Sequence, residues 1–335
     1  KGSNAVVFAD GSKAAYVLAH LINQKLGSNA LTGKANFLKE FDAVKYKEFL
    51  GWMSASQVGV LIANNVNPIY SNNKGADFVK LVEKVPCVVA ITDKKNDLYK
   101  AAKPVANWLE SWGDFAPQTG VYTLMQPTIQ KIFKSRQIED SLLVWMNGKN
   151  NAANNYYDYL KANATTLIGG VSFNKALYNG VLEGGNTSTL SYAGGNAQQA
   201  ITELGGFKAS DLELVLYTKT AIGDGTQANN PWLQELPDPI TRLAWDNYLT
   251  ISPKDATKLG LDNDLNARMQ LDGSVVNLTV NGITLKDVPV FIQPGQADGS
   301  VGLALGYGKT LSGKVAETGV NAYPLFDGSN SVLSN

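Results

Sequence analysis

Residues 58–92 read VGVLIANNVNPIYSNNKGADFVKLVEKVPCVVAIT, and the reading of this stretch decides the fold class. Val58–Ala63 is a short apolar run of strand length, suited to burial in a parallel sheet. Asn64-Asn65-Val66-Asn67-Pro68 then supplies turn chemistry. Ala76–Lys84 is helical by spacing, and Val85–Thr92 is again a buried strand, closed by the polar turn Asp93–Asp97. Strand, helix, strand in this order argues for a Rossmann-like parallel α/β layer.

Upstream, Ala5–Ala9 (AVVFA) is expected to be another buried strand. Asp10-Gly11-Ser12 makes the turn, with Ser12 as helix N-cap. Val17, Leu18, Leu21, Ile22 and Leu26 recur at helical spacing, and Gly27 supplies the stop. Phe37–Met53 reads as a loop and a helix. Downstream, regular patterning weakens over Ala101–Arg136, where Trp108, Trp112, Phe115, Tyr122, Phe133, Pro104, Pro117 and Pro127 mark an ordered, aromatic-rich surface segment. Gln137–Trp145, Tyr156–Ala162 and Ser172–Val181 are helical, and Gly184–Asn196 reads as a flexible stretch.

The texture changes near Ser210. Leu212–Tyr217 alternates with period two. Ala267–Leu271, Val275–Val280, Ile283–Leu285, Val288–Gln293 and Val301–Leu305 are short strand candidates between Gly or Asn turns. Ser252–Gly260 is one short helix, with Ser252 as N-cap, Pro253 first and Gly260 as stop. Many short strands around one helix argue for a closed β-barrel. The expected organisation is therefore an α/β domain over 1–209 and a β-barrel over 210–335, with no repeat of fixed period.

Composition narrows the function. Lys+Arg and Asp+Glu are both 29 in 335 residues, so the net charge is zero. Neutrality without a basic block argues against nucleic acid and against an anionic membrane surface. There is one Cys, Cys87, and one His, His20, which excludes an internal disulfide, a four-thiolate iron–sulfur site and a His- or Cys-rich zinc site. No run approaches the length of a membrane span. The chain opens on Lys1 without a signal-peptide pattern and reads as a piece of a longer or processed polypeptide.

Individual motifs are weak. Gly302–Thr310 fails phosphate-loop spacing, because Leu303 stands where a Gly is needed; a turn followed by an exposed Lys309 is expected instead. Asp10-Gly11-Ser12 could offer N–H groups to a phosphate but reads first as a strand–helix turn. His20 lies off the apolar stripe of its helix, and Cys87 is expected in an inert core. The carboxylate pairs Glu110/Asp114 and Glu235/Asp238 are candidates for acid–base work, although Glu235–Pro239 reads more simply as a rigid turn. Sequons occur at Asn163, Asn186 and Asn277.

Several segments carry a family resemblance. Asn64–Pro68, Trp108–Asp114, Gln126-Pro127 and Phe173–Gly180 stand in the order of the third domain of molybdopterin oxidoreductases. Gln293–Gly299 and Leu305–Gly308 resemble their C-terminal double-psi barrel. The stretch Ala228-Asn-Asn-Pro-Trp-Leu-Gln-Glu-Leu-Pro-Asp-Pro239, continuing through Trp245–Asn247 to Ser252-Pro253, is most similar to the molybdopterin-like iron–sulfur subunit of bacterial alternative complex III. That resemblance implies a quinol-oxidising respiratory complex at the periplasmic side of the inner membrane. It implies integral quinol-binding and cytochrome c subunits as partners, haem in those partners, and iron–sulfur clusters in a cysteine-rich region outside these residues. This chain would then be a non-catalytic scaffold without a cofactor of its own, docking through Trp108–Phe133 and Pro231–Trp245. Gln296 stands where relatives often have His, and Lys309 where Arg is common. The alternative is part of a catalytic polysulfide- or thiosulfate-reductase-like subunit that binds a molybdopterin guanine dinucleotide. In that case Asn67, Ser71 and Asn72, with Ser252 and Gly308, line the nucleotide site. A secreted binding domain unrelated to respiration is the blandest reading.

Overall fold

The computed structural model describes the chain except residues 1–3, 10, 11, 29, 31–33, 35–41, 95–97, 99–101, 168–169, 185–193, 207–210, 266, 268–270, 311, 327–331 and 335. Helix α1 (Lys13–Leu26) starts where the sequence predicts: the Ser12 hydroxyl accepts from Ala15 N, and Gly27 ends it in the left-handed conformation. Ala5–Ala9 forms no strand. Val7 is held instead by the buried side-chain amide of Asn23, which accepts from Val7 N at 2.7 Å and donates to Val7 O at 2.8 Å. One amide side chain supplies both bonds that a strand neighbour would have supplied.

Helix α2 (Ala43–Ser54), strand β1 (Val60–Asn64), helix α3 (Gly75–Val82), strand β2 (Cys87–Thr92) and strand β3 (Ala102–Pro104) build a parallel sheet in the order β1-β2-β3. Met53, Ala63, Phe78, Val85, Ala90 and Leu98 form its core. The expectation of strands buried on both faces is corrected: Val60 and Ile62 stay exposed on β1, and Cys87, paired in register with Val60, is exposed at the start of β2.

The weakly patterned region contains a sheet that the sequence does not announce. Strands β4 (Gly113–Gln118), β5 (Val121–Met125) and β6 (Val181–Glu183) pair antiparallel. Helices α4 (Ile138–Asn147) and α6 (Phe173–Asn179) follow the predicted spans closely, while α5 (Tyr156–Leu167) runs on past its predicted end at Ala162, and α5 and α6 close over β5 through Leu160, Phe173, Ala176 and Tyr122. Helix α7 (Ala197–Gly205) packs on α1. Most of the stretch expected to be flexible lies outside the described residues.

The last part contains β7 (Glu213–Thr218), α8 (Pro231–Glu235), β8 (Leu249–Ile251), α9 (Pro253–Leu259), β9 (Asn263–Leu265), β10 (Leu271–Gly273), β11 (Val275–Val280), β12 (Ile283–Ile292), β13 (Ser300–Leu305) and β14 (Val332–Ser334). Six of these form one mixed sheet in the order β11-β12-β8-β13-β7-β14, and β9 pairs only with β10. β12 and β8 run parallel, as do β13 and β7, while β8 and β13 are antiparallel. The expected closed double-psi barrel is not formed among the described residues, because edge strands β11 and β14 do not pair with each other. Most of the Ala267–Leu271 strand candidate lies outside the described residues. The core is nonetheless continuous: Leu214, Leu216, Ile251, Val288, Val290 and Leu303 are all buried.

Candidate functional site

The chemistry-bearing side chains that converge lie at the C-terminal end of β7. Tyr217 and Lys219 are two residues apart and so point to the same side of the chain. After them the chain runs through α8, started by the Asn230 cap and Pro231, and turns back over residues 236–246. Asp238 organises that turn, its Oδ1 accepting from Ile240 N and Thr241 N at 2.9 Å each. Burial works against its charge, but these N–H groups and the nearby Lys219 outweigh it and hold the carboxyl below the usual carboxylate range. Arg242 and Trp245 both sit at positive φ, and Trp245 N is pinned to Gln234 O at 2.7 Å.

Lys219 is 6% exposed. Its ammonium donates to Asp246 O at 3.2 Å and lies 3.8 Å from the ring centroid of Tyr248 and 5.3 Å from that of Tyr307. Burial drives it down to about 8, against the opposing pull of Asp238 and Asp246. Tyr248, which shares a hydrogen bond with the Thr241 hydroxyl, is pushed up to about 12 by burial. Two adjacent hollows open here. One, of about 250 Å³, is bordered by Tyr217, Thr241, Thr250 and Gln296. The other, of about 220 Å³, lies over Lys219 between Pro237, Leu243, Trp245 and Tyr307. Asp238 borders both. This assembly offers a cation, a carboxylate and phenol rings inside mostly apolar walls.

A second convergence joins the parallel layer to the last sheet. Tyr70, in the loop after β1, donates its phenol to Tyr307 O at 2.8 Å and meets the Tyr323 ring edge-on at 5.1 Å. Gly225 and Gly306 pack backbone on backbone beside it: a Cβ on Gly225 would lie 2.7 Å from Gly306 O and 2.9 Å from the Tyr70 hydroxyl. Lys309 is not the exposed lysine that the sequence suggests; its ammonium donates to Gly225 O at 3.3 Å and lies over the Tyr70 ring.

The residues predicted for a nucleotide site divide around this joint. The loop of Asn67, Ser71 and Asn72 comes to the same end of the last sheet as Gly308, through Tyr70 and Tyr307. Ser252 stands at the other end, since β8 runs antiparallel to β13, about 15 Å or more away at the rise of a strand. Their polar groups are already engaged. Asn67 Oδ1 accepts from Tyr70 N, and Ser71 Oγ donates to Asn67 O at 2.9 Å. Asn72 donates to the Tyr46 hydroxyl at 2.8 Å and accepts from Lys74 N at 2.8 Å. Ser252 is wholly buried, and its hydroxyl accepts from Asp255 N and donates to Asp255 Oδ2 at 2.8 Å. Beside Gly308, the place where a Cβ would sit is filled by Asn321 N, 2.4 Å away. Ser252 therefore stands apart from the other four, and the side-chain groups named here have partners within the chain.

Glu110 and Asp114 serve different networks. Glu110 accepts from Asn107 N and Ile132 N, closing a capping box and tying down the loop that follows β5. Asp114 accepts from the phenols of Tyr122 and Tyr156, both at 2.7 Å. Nearby, burial raises the Glu139 carboxyl above its ordinary value. Of Glu235 and Asp238, only Asp238 borders the hollows. The aromatic segments do present apolar side chains to solvent: Trp108, Ile132 and Phe133 on one, Trp232 and Ile240 on the other, with Phe133 77% and Trp232 81% exposed. Among the described residues, no group of three or more His, Cys, Asp or Glu could hold a metal ion, and no helix is long and apolar enough to cross a membrane.

No family model and no curated protein sequence matches the chain. Among solved structures, the acetylene hydratase from Pelobacter acetylenicus is similar in fold, with a TM-score of 0.53 at 13% sequence identity. The match covers 83% of this chain and 42% of the hydratase, so the chain spans about two fifths of that protein's length. The likeness is one of fold alone. It does not reach the alternative complex III subunit.

Proposed function

We propose that this chain is a non-catalytic scaffold segment of the iron–sulfur subunit of alternative complex III, working at the periplasmic side of a bacterial inner membrane. On this reading it holds integral quinol-binding and cytochrome c subunits in place. Iron–sulfur clusters belong to another region of its own subunit, and haem to the partners. The observation that carries the reading is the set of large apolar side chains that Trp108–Phe133 and Pro231–Trp245 leave in water. Aromatic anchors of this kind supply most of the binding energy at protein interfaces. The resemblance of Ala228–Pro239 supports the particular complex.

The competing reading, a catalytic subunit with a guanine dinucleotide cofactor, has less support, because its candidate residues spend their polar groups on neighbours within the chain. The test is site-specific photo-crosslinking from positions 133 and 232 in the native membrane complex. Crosslinks to other subunits are expected, together with metal analysis that finds no stoichiometric molybdenum. Crosslinks confined to this chain, or molybdenum at one atom per chain, would overturn the reading.

A further inference from the structure

The hollow over Lys219 presents an unusual electrostatic situation. A buried ammonium is costly to keep unless an anion faces it. Lys219 is nine-tenths buried, yet among the described residues no carboxylate lies within 4.0 Å of its nitrogen. One backbone carbonyl and the faces of two tyrosine rings are its partners. Asp238 and Asp246 are close enough to favour its charge, but burial outweighs both, and Asp238 has committed Oδ1 to two backbone N–H groups. The ammonium borders a space of about 220 Å³, roughly seven water volumes at about 30 Å³ each.

The walls then select among anions. They are mostly apolar: Leu236, Pro237, Pro239, Leu243 and Trp245. The backbone that carries them includes two non-glycine residues at positive φ, Arg242 and Trp245, a costly conformation of the kind that collects at binding sites. A phosphate dianion would find one cation, the negative Asp238 at the rim and greasy walls. A metal cation would be repelled by the ammonium. A singly charged anion with an apolar body satisfies both halves of the space.

We propose that this hollow binds a small organic monocarboxylate, its carboxylate ion-paired with Lys219 and its hydrocarbon or aryl body packed between Pro237, Leu243 and Trp245. At neutral pH the ammonium is still mostly charged, since burial brings it down only to about 8. The ligand provides the counter-ion, and the apolar walls make that pairing strong by excluding water.

The experiment uses the whole chain at pH 7, with benzoate as the probe and benzyl alcohol as its uncharged counterpart. Titration calorimetry is expected to show benzoate binding at least 10-fold tighter than benzyl alcohol. Mass spectrometry after brief acetylation should show benzoate protecting Lys219 while leaving the labelling of Lys309 unchanged. K219M should lower benzoate affinity at least 10-fold, and K309M should not. Equal binding of alcohol and acid, no protection of Lys219 at millimolar benzoate, or undiminished binding in K219M would each overturn the proposal. The first two readouts use the unaltered protein, so a folding defect in the variant cannot mimic either answer.

Discussion

Asp114 and Lys219 show how little of a side chain's work can be read from its neighbours in sequence. Asp114 reads as half of an acid–base pair with Glu110, but it is the common acceptor for two phenols brought from β5 and α5. Asp114→Asn removes the charge that strengthens both bonds and should cost about 1–3 kcal/mol in urea unfolding; an unchanged midpoint would contradict that role. Lys219 carries no motif, and the side chains that surround it come largely from Leu236 to Tyr248 and from Tyr307. Its folded ammonium loses a proton near pH 8, against 10.5 ordinarily. Between those values the unfolded chain holds the extra proton, so wild-type stability rises with pH. The stability of wild type minus that of K219M should therefore grow by roughly 3 kcal/mol from below pH 8 to above pH 10.5, and a gap independent of pH would refute this. Cys87 reads as core, because apolar residues flank it, but its strand begins at the rim of the sheet. It should react with a thiol reagent in the native state at one equivalent per chain, whereas a buried thiol would react only on unfolding.

Elements were legible where their signals are local. Helix α9 is written out in Ser252, Pro253 and Gly260, and it forms between those residues, because an N-cap, a fixed first φ and a left-handed stop all act within one turn. Ser252→Ala removes the cap and its bond to Asp255; thermal or urea unfolding should register about 1–2 kcal/mol of lost stability. The apolar pattern of strand β12 divides into two pieces in the sequence, because Lys286-Asp287 interrupts it. The structure keeps one strand by placing a register irregularity between Val276 and Leu278 on β11 opposite it, with Asp287 at φ 56°. Strand β8 leaves no signal in the sequence, because three residues are too few to show a period, although it sits between β12 and β13 at the centre of the sheet. The β4-β5-β6 sheet is hidden in the sequence for a related reason: Pro117 and an irregularity in the β4–β5 register break the alternation.

At the scale of the molecule, the joint between the parallel layer and the last sheet depends on Tyr70, Tyr307, Tyr323 and the Gly225–Gly306 contact. Tyr70→Phe leaves the Tyr307 carbonyl without its buried donor and should cost about 1–2 kcal/mol. Proteolysis of this variant should begin at the joint earlier than in wild type; identical cleavage kinetics would remove Tyr70 from that role. The sequence by itself determined the α/β character of the first part, the change to short strands near residue 210, most helix limits and the poverty in thiol and imidazole ligands. These follow from periodicity, capping and composition, which are short-range or global properties of the chain. Tertiary structure alone decided that the strands form an open mixed sheet among the described residues, that the Asn67–Asn72 loop meets Gly308 while Ser252 does not, and that Lys219 lies buried beneath a hollow. Each of these depends on which distant segments come into contact, and contact across tens or hundreds of residues leaves no periodic trace in the sequence that specifies it.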